Sequence, residues 1–310
     1  MTGDPLADAI GLLRPSSRVE MGLRARGSWA VRFDPVPHVK LGVVPAGQCW
    51  LRLEGREPVL LREGDFYLLA NPPTYSLASD LHTAPTPAAS LWQDAHDGVI
   101  HQGPAEGAET HVCGVRFAFD RDTAFVVDAL PRLVHVRAGE PRGELLAHLA
   151  ELLISERANL GVGSSLVMDH LAQLLFVHML RAHAEQAEHP TGWLAALGDD
   201  GVGAALRAMH GDIARRWTVQ ELAAVSAMSR SAFAAAFKRR VGLPPLSYLI
   251  EWRMSLARDA LTRSSRSISE LAVVTGYESE SAFSTAFRRV VGLSPRHFRD
   301  QVRAPRTSHA

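Results

Sequence analysis

Residues 229–249, SRSAFAAAFKRRVGLPPLSYL, recur fifty positions later as residues 279–299, SESAFSTAFRRVVGLSPRHFR. Ser229, Ser231, Ala232, Phe233, Ala236, Phe237, Arg239, Val241, Gly242, Leu243 and Pro245 return as Ser279, Ser281, Ala282, Phe283, Ala286, Phe287, Arg289, Val291, Gly292, Leu293 and Pro295. Similarity at a fixed spacing within one chain means one supersecondary unit used twice. Before each copy, Thr218 and Ser267 stand three residues ahead of Glu221 and Glu270, the spacing of a capping box that opens a helix. Each unit therefore reads as helix, tight turn, helix. In the second turn Gly276 suits a positive φ. The first turn has Ala227 at that place, where a left-handed conformation would cost roughly 1 kcal/mol.

The second helix of each unit divides into two faces. Phe233, Ala236, Phe237 and Val241 follow an i, i+3, i+4, i+8 pattern and form an apolar stripe. Outward remain Arg230, Ser231, Ala234, Ala235, Lys238 and Arg239, and in the second copy Glu280, Ser281, Ser284, Thr285, Arg288 and Arg289. A face of small, hydroxylated and basic residues suits close approach to a polyanion, although basic residues on a helix also serve simply as a solvated face. Between the units, residues 248–262 read as a linking helix of roughly 15 residues, spanning about 22 Å. Such a rod would hold two helices for successive major grooves, about 34 Å apart on a duplex.

The chain of 310 residues has no net charge, but the balance is uneven. Residues 201–310 carry 17 Arg/Lys against 8 Asp/Glu, a net +9, and residues 1–200 carry 16 against 25, a net −9. This assigns an anionic partner to the C-terminal part. The first residues include Asp4 and Asp8 and lack the basic start and apolar core of a secretory signal. Two cysteines are too few for a disulfide scaffold and fit a reduced cytoplasm, and no apolar run is long enough for a membrane span.

Residues 20–136 read as short strands separated by turns: 29–33, 38–44, 49–53, 59–61, 66–70 and 111–119. Turns are expected at 54–56 and 62–65, and a long loop at 79–107. This pattern suggests a sandwich or a small barrel. Residues 142–187 change to a helical period and read as a pair of helices, 147–160 and 165–187, split by Gly161-Val162-Gly163. The second is apolar nearly all round and so is expected to be buried on two sides. Residues 185–191 read as a linker.

With these motifs, MSRSAFAAAFKRRVGLPPLSYL, WRMSLARDAL and GYESESAFSTAFRRVVGLSPRHFR, the C-terminal third resembles the DNA-binding domain of the AraC/XylS family of bacterial transcription regulators. Residues from 20 to about 190, through VKLGVVPAGQCWLRLEG, LREGDFYLLANPPTYSLASD and VCGVRF, resemble the cupin-like sensor domain of one branch of that family. The resemblance implies an α+β chain. Residues 1–190 would form a cupin-like β-barrel with a helical dimerisation segment, and residues 191–310 an all-α domain. The latter would hold one helix-turn-helix at 218–241 and another at 267–291. It further implies a cytoplasmic, sequence-specific DNA-binding regulator, controlled by a small-molecule effector, acting as a homodimer and able to meet RNA polymerase.

Carried across position by position, Ser231, Ala234 and Ala235, flanked by Arg230 and Lys238, would face bases in one half-site. Glu280, Ser281 and Thr285 would face them in the other. Arg239, Arg240, Arg288, Arg289, Arg296 and His297 are phosphate candidates. Alanine offers only apolar contact and Ser or Thr single hydrogen bonds, so the reading predicts modest direct readout with more weight on backbone and DNA shape. Trp50, Tyr67, Tyr75, Trp92 and Phe117 are candidates to line an effector pocket, or to serve as core. No cofactor or metal is expected. His38, His82, His96, His101 and His111 include no His-x-His pair, and Cys49 and Cys113 read as buried thiols rather than ligands beside His111. A cupin-type metalloenzyme with an appended DNA-binding module and a ligand-independent dimeric regulator are the alternatives.

Overall fold

The computed structural model describes residues 3–35, 38–95, 98–104, 106–119, 127–128, 130–186 and 193–303. His96 and residues 187–191 of the expected linker lie outside them. Contacts divide the chain into two compact units. One is built from Pro15–Phe119 and Leu130–Gln186. The other is built from the C-terminal third together with the first helix, α1 (Pro5–Leu13).

The first unit contains β1 (Ser16–Arg26), β2 (Ala30–Phe33), β3 (Val39–Ala46), β4 (Gln48–Leu53), β5 (Val59–Arg62), β6 (Phe66–Ala70), β7 (Tyr75–Ala78), β8 (Thr86–Pro87), a short α2 (Ala88–Leu91), β9 (Val99–Gln102), β10 (Glu109–Ala118) and β11 (Leu133–Val136). They pair as a six-stranded sheet in the order β11-β6-β3-β10-β1-β9 and a five-stranded sheet in the order β5-β4-β7-β2-β8. The expected cupin-like barrel is thus built as two sheets packed face to face. Alternation along each strand supplies the shared core, with Leu23, Val44, Leu69 and Val112 from one sheet meeting Val31, Cys49, Leu51, Leu61 and Leu77 from the other.

Three expectations change. The 79–107 stretch is not a plain loop, because it carries β8 and β9, which pair parallel to β2 and β1. The turn at 62–65 passes between the sheets, since β5 pairs with β4 while β6 pairs with β3 and β11. β1 itself escaped the sequence reading. Its alternation is broken by charged residues and by a bulge between Glu20 and Leu23, where Gly22 has φ +84°.

Two helices, α3 (Gly143–Ala158) and α4 (Ser164–Gln186), cover the outer face of the six-stranded sheet. There Phe176 packs on Phe117 with ring centroids 5.1 Å apart. With helices on one side and the second sheet on the other, β6 is buried along its whole length. α4 buries Ala172, Leu175, Phe176, Met179 and Leu180, but Leu166 and Leu174 are 61% and 46% exposed. Its expected burial on two sides is therefore not met among the described residues.

The second unit adds α5 (Trp193–Ala196), α6 (Asp200–Gly211), α7 (Val219–Val225), α8 (Arg230–Val241), α9 (Pro245–Arg263), α10 (Ile268–Val274), α11 (Glu280–Val291) and α12 (Pro295–Arg303). The linking helix α9 begins earlier than expected because Pro245 fits the first helical position, where its missing N–H and fixed φ carry no penalty. Its 19 residues span about 28 Å. Near its start Tyr248 packs edge-on against Phe237 at 5.9 Å. Towards its end Met254, Ala257 and Leu261 join Phe283, Phe287 and Phe298 in one core. Buried Arg253 rivets the middle, donating from Nε and Nη2 to the Ile213 and Arg215 carbonyls at 2.8 Å each. On the far side of His210, Asp8 of α1 lies 3.3 Å from the ring Nδ1, and Nε2 is 2.8 Å from the Tyr248 hydroxyl. Burial keeps His210 below its usual pKa despite Asp8, so the ring is neutral. With Nδ1–H donating to the carboxylate, Nε2 accepts from Tyr248. Among the described residues no helix is long and apolar enough to cross a membrane.

Candidate nucleic-acid interface and a buried cavity

Local chemistry places the duplicated helices. Thr218 and Ser267 cap α7 and α10, and both halves of each capping box are formed with Glu221 and Glu270. Each of these helices runs seven residues into a tight turn whose left-handed residue is Ala227 at φ +52° in one copy and Gly276 at φ +79° in the other. Ser229 and Ser279 then cap α8 and α11 by accepting from the Ala232 and Ala282 amides. Gly242 and Gly292, at φ +88° and +85°, close the two helices. Phe233 and Phe237, and again Phe283 and Phe287, are fully buried, which fixes the rotation of each helix.

That rotation exposes Arg230, Ser231, Ala235, Lys238 and Arg239 on α8, with Ala234 half-buried beside them. On α11 it exposes Glu280, Ser281, Thr285, Arg288 and Arg289. Arg296 and His297 are exposed at the start of α12. Arg240, by contrast, is half-buried and pairs with Asp199 at 3.0 Å.

The sheet unit encloses a cavity of about 220 Å³ between its two faces. It brings together three of the five aromatic candidates, Tyr67, Tyr75 and Trp92. Phe33, missed by the sequence reading, stacks on Tyr75 at 4.8 Å. Gly42 is required here: a Cβ would lie 2.2 Å from the Tyr67 ring, which lies across β3 at that point. Trp50 and Phe117 do not line the cavity. In β4 the inward positions belong to Cys49, Leu51 and Leu53, and in β10 to Val112 and Arg116, while Phe117 packs on Phe176 of α4.

The same wall holds charges that the sequence reading did not single out. Glu20 is ion-paired to Lys40 and to Arg116, the latter at 2.5 Å. Burial alone would raise the Glu20 pKa, but the two cations together hold it below the ordinary carboxylate range. His38 is pushed down to about 4 by burial and by Arg116 and Lys40, so it is neutral near pH 7. The candidate histidines do not assemble. Among the described residues no group of three His, Cys, Asp or Glu side chains could hold a metal ion. His111 contacts only one of the two thiols named beside it, Cys113, at 3.3 Å, while Cys49 belongs to the apolar core.

Comparison with known proteins places these features. A cupin family model matches residues 4–185, and a helix-turn-helix domain model matches residues 222–301. An AraC-like transcription regulator of Streptomyces lividans is 41% identical over 280 residues, covering 89% of this chain and 91% of that protein. Its counterpart in Streptomyces antibioticus is 40% identical, with 89% and 92% covered. The HTH-type transcriptional regulator AlkR of Acinetobacter baylyi is 29% identical, with 90% and 93% covered. Two capped helix-turn-helix modules joined by one rod, behind a cupin-type sheet unit and with this likeness along nearly the whole length, mean that the chain belongs to the AraC family of DNA-binding transcription regulators.

Proposed function

We propose that α8 and α11 are the two recognition helices, entering successive major grooves on one side of a duplex. The observation that carries this reading is that both copies turn the same positions outward: Ser231 with Ser281, Ala235 with Thr285, and Arg239 with Arg289. Ser231, Ala234 and Ala235, beside Arg230 and Lys238, face one set of bases, and Glu280, Ser281 and Thr285 the other. Arg239, Arg288 and Arg289 hold phosphates, aided by the amide-rich starts of α8 and α11. Short side chains at the base-facing positions make shape and backbone contacts the larger part of recognition. Replacing Arg289 with Ala is expected to weaken binding evenly across operator variants and to make the dependence of log K on log salt shallower by about one unit. A changed base preference with an unchanged slope would show that Arg289 reads sequence instead.

The sheet unit is proposed to sense a small molecule in its cavity and to pass that state to DNA binding. Support comes from an interior that is concave and largely apolar, with a few convergent polar groups. The exposed apolar residues of α3, α4 and the turn between them, Leu152, Leu160, Leu166 and Leu174, support a homodimer through these helices. On this reading the protein acts in the cytoplasm and regulates transcription rather than catalysing a reaction.

A further inference from the structure

The inward face of the six-stranded sheet carries a row of cations across three neighbouring strands. Arg116 of β10 is directly opposite Lys40 of β3 on one side and Arg18 of β1 on the other. Like charges placed directly opposite one another destabilise a sheet. Among the described residues Glu20 is the carboxylate paired into this row, and it is shared between Lys40 and Arg116. The other carboxylate at the cavity, Asp34, stands at the rim with its side chain 68% exposed and its nearest cation, Arg32, 3.9 Å away. His38, neutral near pH 7, adds no charge. The inner wall therefore keeps about one positive charge in excess, with Arg18 adding to it where the row reaches solvent.

Two details show where that excess is available. The Arg116 side chain is 40% exposed while those of Lys40 and Glu20 are 12% exposed, so the guanidinium is the accessible member of the cluster. Its Nε is buried and has no hydrogen-bond partner among the described residues. The rest of the lining includes the apolar side chains of Phe33, Leu77, Ile100 and Val112 and the ring of Tyr75. The volume of about 220 Å³ exceeds the roughly 150 Å³ of a dry apolar cavity that accepts benzene. The difference suits a short polar arm rather than a second ring.

We propose that this cavity binds a compact amphipathic monoanion: a single-ring or similarly sized apolar body bearing one carboxylate, which pairs with Arg116 beside Lys40. A carboxylate matches the planar fork of a guanidinium in two parallel hydrogen bonds, and burial strengthens the pairing. A cation would meet the excess positive charge, and a polyhydroxylated ligand would leave most of its hydroxyls against hydrocarbon. The proposal deepens the sensing role given above and rests on it only for its consequence at DNA.

The test uses the full chain and matched probes, phenylacetate and benzoate against phenylacetamide and benzamide, in calorimetry and thermal-shift titration at neutral pH. The acids are expected to bind at least about tenfold more tightly than their amides. Arg116→Gln should remove that preference, and Arg116→Lys should restore part of it. Circular dichroism and cooperative thermal unfolding without ligand establish that the variants fold. Equal binding of acids and amides, an acid preference that survives Arg116→Gln, or no binding of either acid at millimolar concentration would overturn the proposal. Operator binding measured on the same samples separates the two readings. Amides that bind as well as the acids and change operator affinity would sink the anion site but keep sensing. Acids that bind through Arg116 without changing operator affinity would keep the anion site and end the sensing role.

Discussion

Ala227 and Gly276 occupy equivalent turns in the two modules, both left-handed, yet only one is glycine. Ala227 is exposed, and its conformation carries a steric penalty of about 1 kcal/mol that glycine would not have. Ala227→Gly is therefore expected to stabilise the C-terminal unit by no more than about 0.6 kcal/mol in urea unfolding, once the greater freedom of glycine in the unfolded chain is included. The reverse change at the second turn meets more than backbone strain. A Cβ on Gly276 would sit 2.2 Å from the Ala214 carbonyl oxygen and 2.7 Å from Arg253, the side chain that rivets α9. Gly276→Ala should cost at least about 2 kcal/mol. Small effects of equal size at both sites would show that the turns are not under the backbone constraint described.

At the scale of elements, what was legible in the sequence was local. Capping boxes, the i, i+3, i+4 phenylalanine stripe and the turn residues each act within a few positions, so α7, α8, α10 and α11 could be placed from them. The pairing of β9 beside β1, and the passage of the chain between sheets at residues 62–65, depend on partners far along the chain. The charged wall was hidden for a related reason. Glu20, Lys40 and Arg116 stand at inward positions where the alternation rule expects apolar residues, and in β1 Glu20 helped disguise the strand as something else. Trp50 and Phe117 failed as candidates on parity alone, one residue out of step with the inward set. The capping boxes give a test at this scale. Thr218→Ala and Ser267→Ala are each expected to cost about 1 kcal/mol, because each frees the amide of its Glu. The double variant should cost the sum to within about 0.5 kcal/mol, since the two caps share no partner. A sum missed by much more would mean that the modules are energetically coupled.

For the molecule as a whole, neutrality conceals a division of labour: the C-terminal third is basic enough to be drawn to a polyanion, and the remainder is acidic. Buried charge also sets the response to acid. His38 keeps its folded pKa near 4, whereas an unfolded histidine titrates near its ordinary 6.5. Between those values the unfolded chain takes up a proton that the folded chain refuses, so stability is lost as pH falls from about 6.5 to about 4. The loss attributable to His38 is up to about 3 kcal/mol. His38→Gln should flatten that acid limb of a stability-against-pH curve, and an unaltered limb would assign the loss to other groups. The hydrogen-bonded chain from Asp8 through His210 to Tyr248 has a different reach. Asp8 precedes Tyr248 by 240 residues, so α1 can complete this chain only once the intervening residues have been made. A fragment starting at residue 191 would never receive it, leaving one face of a buried imidazole without its carboxylate.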